Sequence, residues 1–182
     1  MTNKTHKILG MMTGTSMDGI DISLVESNGE NVKSIKNFYF EYSKQIRKEL
    51  SIIQDKVKTF TPNFIKENYD YLISQLHLEA IMKFKNFDEY DYIGFHGQTI
   101  LHDPKNKLSL QLGDPNLISK KIRKNIIFDF RSNDLKNGGQ GAPLAPIYHQ
   151  NLMERYNLNL PCCFINIGGI TNITYWDNET LL

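Results

Sequence analysis

Apolar and polar positions alternate along the first part of the chain in the pattern of a short antiparallel sheet. An apolar stretch covers residues 7–12, a polar glycine loop follows at 13–19, and apolar positions then alternate with polar ones over 20–25. Apolar residues at every second position line one face of a strand. A third strand is predicted over about 32–42, where aromatic residues are frequent. Two strands joined by a short glycine loop indicate a hairpin, so the chain is expected to open with an antiparallel meander.

Two helices are predicted next, from apolar residues that recur three or four positions apart. The first apolar stripe covers 46–57, and the second covers 65–80. The second helix is expected to begin at Thr61-Pro62, because threonine is a favourable N-cap and proline suits the first helical position. His77 lies off the apolar stripe, so it is expected to face solvent.

The rest of the chain alternates between strand and helix patterns, which indicates an α/β fold. A final pair of apolar segments is joined by Gly168-Gly169 and repeats the opening pattern of strand, glycine turn and strand. Strands are predicted at 90–95, 108–112, 125–129, 164–167 and 170–176, and helices at 114–124 and 143–156.

Composition and charge narrow the class of protein. The chain has 182 residues with 40% apolar and 23% charged residues, which is ordinary for a globular protein. Its formal charge of +1 gives no reason to expect nucleic acid or a membrane surface as partner. No secretory signal is expected, because residues 2–7 are polar, and no apolar run approaches the roughly 18 residues of a membrane span. The adjacent Cys162 and Cys163 are expected to be buried free thiols, so a reducing, cytoplasmic location is expected.

The first glycine loop, residues 13–19, has the features of an anion site. It carries three hydroxyls besides Asp18, and its backbone amides could surround a phosphate. Asp18 or Asp21 could hold Mg²⁺ through water. The loop matches neither a Walker A motif nor a dinucleotide fingerprint, and a plain hairpin turn is the alternative. A second loop at 168–172 offers similar amides, and two such loops, one opening each half, are what a nucleotide clamp between two related domains requires.

Two polar segments are candidates for binding a second ligand. Residues 96–99 follow a predicted strand and carry hydrogen-bonding side chains that suit a ligand, and a structural imidazole bonded to backbone is the alternative for His96. Residues 129–134 end another strand and precede the glycine-rich run 138–144. Ligands of open α/β sheets bind at the carboxyl edge of the strands, which would place Asp134 beside a ligand. A surface turn of Asp, Asn and Gly is the alternative.

Taken together, these motifs resemble the N-terminal half of the anhydro-N-acetylmuramic acid kinase family, sugar kinases of the actin-like ATPase superfamily. The resemblance implies a ribonuclease-H-like lobe, residues 1–160, with a mixed five-stranded sheet and flanking helices. It also implies that residues 161–182 form the opening hairpin of a second lobe. It rests on motifs at 10–21, 94–99, 111–114, 129–131, 134, 138–144 and 166–172.

The resemblance implies an enzyme that uses ATP and Mg²⁺. Such kinases open 1,6-anhydro-N-acetylmuramic acid with water and phosphorylate O6, giving N-acetylmuramic acid 6-phosphate during peptidoglycan recycling. Asp134 would be the general base that activates the water, and Asp18 and Asp21 would hold Mg²⁺. ATP binding is assigned to Gly14, Thr15, Ser16, Met17, Asp18, Gly19, Ile20, Asp21, Gly168 and Gly169. Sugar binding is assigned to His96, Gln98, Thr99 and Arg131.

Family members are about twice as long as this chain, so alternatives to a complete kinase stay open. The chain is expected to be the front part of a longer protein, with the missing C-terminal half or a second copy as its partner. It could instead be a non-catalytic anhydrosugar-binding lobe or one half of a split kinase. A third possibility is a hydrolase of the anhydro bond that needs Asp134 but no ATP.

Overall fold

The computed structural model describes residues 4–84, 90–167 and 171–181. The chain opens with the predicted meander of β1 (His6–Thr13), β2 (Gly19–Ser27) and β3 (Val32–Glu41). Both pairings in this meander are antiparallel. Ile20, Ile22 and Leu24 are almost fully buried, which confirms the apolar face that the alternating pattern predicts.

The centre of the main sheet is β4 (Tyr92–Asp103), which has neighbours of both orientations. Its first half pairs in parallel with β1 and with β6 (Asn125–Phe128), and its second half pairs antiparallel with β5 (Leu108–Leu112). The strand order is β3-β2-β1-β4-β5, with β6 beside β4. The predicted mixed sheet with flanking helices is therefore confirmed, and β6 makes it six-stranded rather than five-stranded.

Residues 96–99 lie inside β4, so the prediction that the strand ends before them is wrong. Gly97 makes this continuation possible, because it adopts a positive φ of 73° where the register against β1 shifts. A Cβ atom at Gly97 would lie 2.5 Å from the carbonyl oxygen of Leu112. A bulge that requires glycine thus lets one strand change from parallel to antiparallel neighbours.

Three helices flank the main sheet near the predicted positions. They are α1 (Lys44–Lys56), α2 (Pro62–Phe84) and α3 (Pro115–Ile122). The N-cap predicted at Thr61 is confirmed, because its Oγ1 accepts a hydrogen bond from the Phe64 amide. Asp114 caps α3 in a similar way, with a carboxylate oxygen that accepts from the Asn116 amide.

His77 is fully buried, so the prediction that it faces solvent is wrong. Its Nδ1 lies 2.8 Å from the carbonyl oxygen of Ile73, one helical turn earlier. Its ring packs edge-on against Phe95 of β4, with 4.8 Å between the ring centroids. The packing of α2 across the sheet therefore buries a helix face wider than the apolar stripe indicates.

The last part of the described chain contains two helices and a separate two-stranded sheet. The short α4 (Ser132–Lys136) was not predicted, and α5 (Pro146–Arg155) begins three residues later than predicted. The strands β7 (Cys162–Ile167) and β8 (Thr171–Trp176) pair antiparallel. His149 of α5 ties this sheet to the helix, since its Nδ1 lies 2.8 Å from Thr174 Oγ1.

The cysteine prediction is partly wrong. Both cysteines are free thiols, but Cys162 is half-buried and Cys163 is exposed. The alternation of a strand explains the difference, because adjacent residues point to opposite faces of the β7–β8 sheet. The predicted ATP contacts Gly168 and Gly169 lie outside the described residues. Among the helices of the described residues, none combines the length and hydropathy that crossing a membrane requires.

Candidate functional site

The first glycine loop is a tight connection between β1 and β2. Met17 adopts a positive φ of 54° and is buried, and its amide donates to the carbonyl oxygen of Gly14. Ser16 Oγ donates to Asp18 Oδ1 at 2.6 Å. A Cβ atom at Gly19 would collide with the Tyr39 side chain and the Phe40 carbonyl, so only glycine fits there. The loop is therefore built by its own side chains and by close contact with β3.

Asp18 lies near enough to Asp21 to affect the ionisation of the Asp21 carboxyl. Partial burial raises the pKa of the Asp21 carboxyl above its ordinary value, and the negative charge of Asp18 raises it further. A carboxylate pair of this kind would be stabilised by a cation, since opposite charge favours the ionised form. Among residues 4–84, 90–167 and 171–181, no group of three or more His, Cys, Asp or Glu side chains is placed to hold a metal ion. The pair fits Mg²⁺ only if water or substrate oxygens supply the remaining ligands.

Two predicted sugar contacts, Gln98 and Thr99, are bonded to protein groups. Gln98 is fully buried, and its side-chain amide donates to the carbonyl oxygen of Gly14 at 3.0 Å. Thr99 is 8% exposed, and its Oγ1 accepts from the Gln111 side chain at 3.3 Å. The geometry thus gives Gln98 a role in holding the first glycine loop onto β4.

His96 and Arg131 contact each other at the carboxyl end of β6. Arg131 Nε and Nη2 lie 3.1 and 2.9 Å from His96 Nε2. Burial lowers the pKa of His96 to about 4, and the charge of Arg131 lowers it too, whereas the hydrogen bond to Gly97 opposes both. Burial also lowers the pKa of Arg131.

Asp134, the predicted general base, lies in α4 and holds the glycine-rich loop at residues 138–144. Its Oδ2 accepts a hydrogen bond from the Gly141 amide at 2.6 Å. Arg131 Nη1 donates to the carbonyl oxygen of the same glycine, also at 2.6 Å. A Cβ atom at Gly139 would collide with the Asp134 carboxylate, so the loop closes tightly over that side chain. This packing is consistent with a structural role, and the catalytic role of Asp134 stays a prediction.

A cavity of about 260 Å³ opens between β5 and the segment that follows β6. Of the predicted sugar contacts, His96 and Arg131 line it. Two cations, Lys66 and Arg131, face it together with one carboxylate, Asp129. Aromatic rings from Phe95, Phe128 and Phe130 supply apolar surface. The charged side chains that line the cavity therefore have a net positive charge, and aromatic rings supply apolar walls, which together suit an organic anion.

Lys66 is a site residue that sequence reasoning missed. Its Nζ lies 3.3 Å from the carbonyl oxygen of Gln111 and 3.5 Å from Asp70 Oδ2, one helical turn along α2. Asp70 in turn accepts from the Gly113 amide at 2.9 Å, which fixes the turn after β5 against α2. The i,i+4 spacing of Lys66 and Asp70 was visible in the sequence, but it is common on exposed helices and carries no information about a cavity.

The mixed sheet, its flanking helices and its glycine-rich first hairpin define an α/β protein of the sugar-kinase and actin-like class. The model of the anhydro-N-acetylmuramic acid kinase family matches residues 6–180. The chain therefore belongs to the anhydro-N-acetylmuramic acid kinase family.

Individual members of that family are similar over nearly the whole chain. The chain is 44% identical to the anhydro-N-acetylmuramic acid kinase of Pelagibacter ubique, with 94% of this chain and 48% of the relative covered. It is 37% identical to the enzyme of the same name from Bradyrhizobium diazoefficiens, with 96% of this chain and 50% of that relative covered. The anhydro-N-acetylmuramic acid kinase of Brucella canis is 38% identical to this chain, with 93% of this chain and 48% of that relative covered. The chain spans about half the length of these curated relatives.

Proposed function

We propose that this chain supplies the N-terminal half of a kinase that acts on 1,6-anhydro-N-acetylmuramic acid. The reaction would add water across the anhydro bond and transfer the γ-phosphoryl group of ATP to O6, giving N-acetylmuramic acid 6-phosphate. Family membership over residues 6–180 supports the kinase class. Peptidoglycan recycling in the cytoplasm is the setting that this substrate implies.

The charge of the cavity is the observation that carries the substrate proposal. A muramic acid differs from a neutral amino sugar by its carboxylate, which needs a positive partner in a partly buried site. Lys66 and Arg131 supply two positive charges against the single Asp129 carboxylate. Arg131 is committed to His96 and Gly141, whereas the ammonium of Lys66 has three donors and contacts only the Gln111 carbonyl and Asp70, so Lys66 is the cation proposed to meet the sugar acid.

The first glycine loop is proposed to bind the ATP phosphates. Its backbone amides would supply hydrogen bonds, and Asp18 and Asp21 would hold Mg²⁺ through water. When bound, Mg²⁺ neutralises charge on the phosphates. Burial and the negative charge of Asp18 both raise the pKa of Asp21, and a cation beside the two carboxyls would offset both effects, which supports this placement. The predicted contacts at Gly168 and Gly169 remain part of the same proposal.

Calorimetric titration of the chain with two sugars tests the substrate proposal. We expect 1,6-anhydro-N-acetylmuramic acid to bind more tightly than 1,6-anhydro-N-acetylglucosamine, which lacks the carboxylate. Lys66→Met should weaken binding of the acid by about tenfold, the expected effect of losing one charge-assisted hydrogen bond. It should leave the neutral sugar unchanged. Lys48→Met, which removes an exposed lysine of α1, is the matched control. Equal loss for both sugars would contradict the proposed role of Lys66.

Adding Mg·ATP to the same mixture tests the kinase step. Phosphorylated sugar, detected by mass spectrometry, would support a kinase site assembled by this chain or by two copies of it. Sugar binding without product would favour the alternative of an anhydrosugar-binding lobe or one half of a split kinase. That alternative is favoured by one observation, the coverage of only about half of each relative.

Asp134→Asn tests the proposed general base. If Asp134 activates water, the variant should bind sugar normally and lose turnover wherever the parent chain shows it. If its main role is to hold the Gly141 amide, Asp134→Asn should keep turnover, because the asparagine amide oxygen can still accept that hydrogen bond, whereas Asp134→Ala should weaken sugar binding and loosen the glycine-rich loop. Unchanged turnover in Asp134→Asn would exclude the role of general base, and unchanged sugar binding in Asp134→Ala would exclude the holding role.

A further inference from the structure

The first glycine loop, residues 13–19, is joined to His96 through one carbonyl group. The Gly97 carbonyl oxygen accepts a hydrogen bond from Thr13 Oγ1 at 2.6 Å, and Thr13 is almost fully buried. The same oxygen lies 2.8 Å from His96 Nδ1. Gly97 therefore links the start of the first glycine loop to the imidazole of His96.

The contacts of His96 determine its protonation state. A guanidinium has only hydrogen-bond donors, and Arg131 directs two of them at His96 Nε2. Nε2 must therefore accept and carry no proton. The proton of the neutral ring then lies on Nδ1, where it is donated to the Gly97 carbonyl. Both ring nitrogens are consequently used by protein groups.

Arg131 extends this connection to the second loop. Its Nη1 donates to the Gly141 carbonyl, while the Gly141 amide donates to Asp134 Oδ2. Both backbone polar groups of Gly141 are thus held by charged side chains. Gly141 also has a positive φ of 65°, and a Cβ atom there would lie 2.9 Å from Leu135 Cγ. The position of this loop therefore depends on where Arg131 is held.

We propose that His96 is a positioning residue, fixed as the neutral Nδ1–H tautomer, which couples the first glycine loop to the Gly141 loop through Arg131. In this role His96 does not contact the sugar by either ring nitrogen. A ligand that orders one loop would favour the ordered state of the other, because a chain of hydrogen bonds runs from Thr13 through the Gly97 carbonyl, His96 and Arg131 to Gly141. The identity of the ligands that bind the two loops rests on the proposed function, whereas the coupling between the loops does not.

Nitrogen NMR of the unmodified chain, labelled with ¹⁵N-histidine, is the first test. We expect His96 to show an unprotonated Nε2 and a protonated Nδ1 between about pH 6 and pH 8, where an ordinary imidazole titrates. The His96→Gln spectrum assigns the resonance by its loss. A charged ring, or a proton on Nε2, would overturn the proposal, and this result does not depend on sugar or ATP binding.

Two variants of His96 form the second test, because each keeps one of its contacts. Asparagine places an amide nitrogen near the position of Nδ1, whereas glutamine places an oxygen near that of Nε2. In His96→Asn, Arg131 loses its acceptor, and the Gly141 amide should exchange with solvent hydrogen about tenfold faster, as expected when a charge-assisted contact is lost. His96→Gln keeps an acceptor for Arg131 and should restore slow exchange.

The amide of Ile73, buried in α2, is the internal control for general loss of stability. Faster exchange at Gly141 with unchanged exchange at Ile73 would support the proposal. Equal effects of the two variants at Gly141 would overturn it. If His96→Asn does not fold, a charged ring or a proton on Nε2 in the unmodified chain would still overturn the proposal. If the unmodified chain binds neither sugar but His96 shows the expected Nδ1–H tautomer, the proposed function is refuted and this inference stands.

Discussion

Acid is expected to lower the stability of this fold through His77. Replacing His77 with leucine is expected to remove part of that loss of stability. The ring is fully buried, and its Nδ1 donates to the Ile73 carbonyl. Its Nε2 is buried without a hydrogen-bond partner among the described residues. A proton added to Nε2 would therefore bring a charge into the core with no acceptor to receive it. Burial accordingly lowers the pKa of His77 to about 4, and the nearby His96 contributes in the same direction.

The size of the effect follows from the two pKa values. The unfolded chain protonates His77 near its ordinary pKa of 6.5, whereas the folded chain does so only near 4. Between these values the unfolded state binds more protons, so stability is full above pH 6.5 and is lost as the pH falls toward 4. At about 1.36 kcal/mol per pKa unit, the gap corresponds to about 3 kcal/mol in total and about 2 kcal/mol by pH 5.

Urea unfolding followed by far-UV circular dichroism, repeated from about pH 7.5 to about pH 4.5, measures this loss. The free energy of unfolding of His77→Leu should fall less steeply with decreasing pH than that of the parent chain, whatever constant difference in stability the substitution introduces. His102→Gln replaces an exposed histidine and should keep the slope of the parent chain. If His77→Leu and the parent chain lose stability in parallel between pH 6.5 and pH 5, the reasoning from burial is refuted.

Three further substitutions test local features of the fold. Gly97→Ala should destabilise the chain by about 2 kcal/mol or more, because a Cβ atom would lie 2.5 Å from the Leu112 carbonyl oxygen at a positive φ; equal urea midpoints for variant and parent would contradict this. Thr13→Val should cost about 1–3 kcal/mol in the same assay, because it removes the buried hydroxyl that donates to Gly97, whereas Thr15→Val in the exposed loop should cost little. Gly139→Ala should displace the Asp134 carboxylate. It should therefore weaken sugar binding in calorimetry without changing the circular dichroism spectrum, and unchanged affinity would exclude a link between that contact and the site.

Features that depend on local chemistry were predictable from the sequence. The cap at Thr61 was correct because a cap needs only its own residue and the first helical turn. The meander of β1, β2 and β3 was correct because adjacent strands pair across short turns. No partner distant in sequence is involved in either case.

Features that depend on distant partners were not predictable. The burial of His77 follows from Phe95, which packs on it from another element. The continuation of β4 through residues 96–99 depends on β5, which supplies pairing partners beyond the bulge. Lys66 faces the cavity only because α2 packs against β5. For the site as a whole, the sequence indicated the loops, whereas the hydrogen bonds that join them required the fold.

The place of β4 in the sheet also has a consequence for the order of folding. The meander contacts are local, but the contact between Thr13 and Gly97 joins residues 84 positions apart. Closing so long a loop is entropically costly, and non-local pairing slows folding. The two glycine-rich loops can meet only after β4 has joined β1, so the ligand-binding surface is expected to form late. Pulse-labelled hydrogen exchange should then protect amides shared by β1 and β2 before those of β4, and the reverse order would contradict this view.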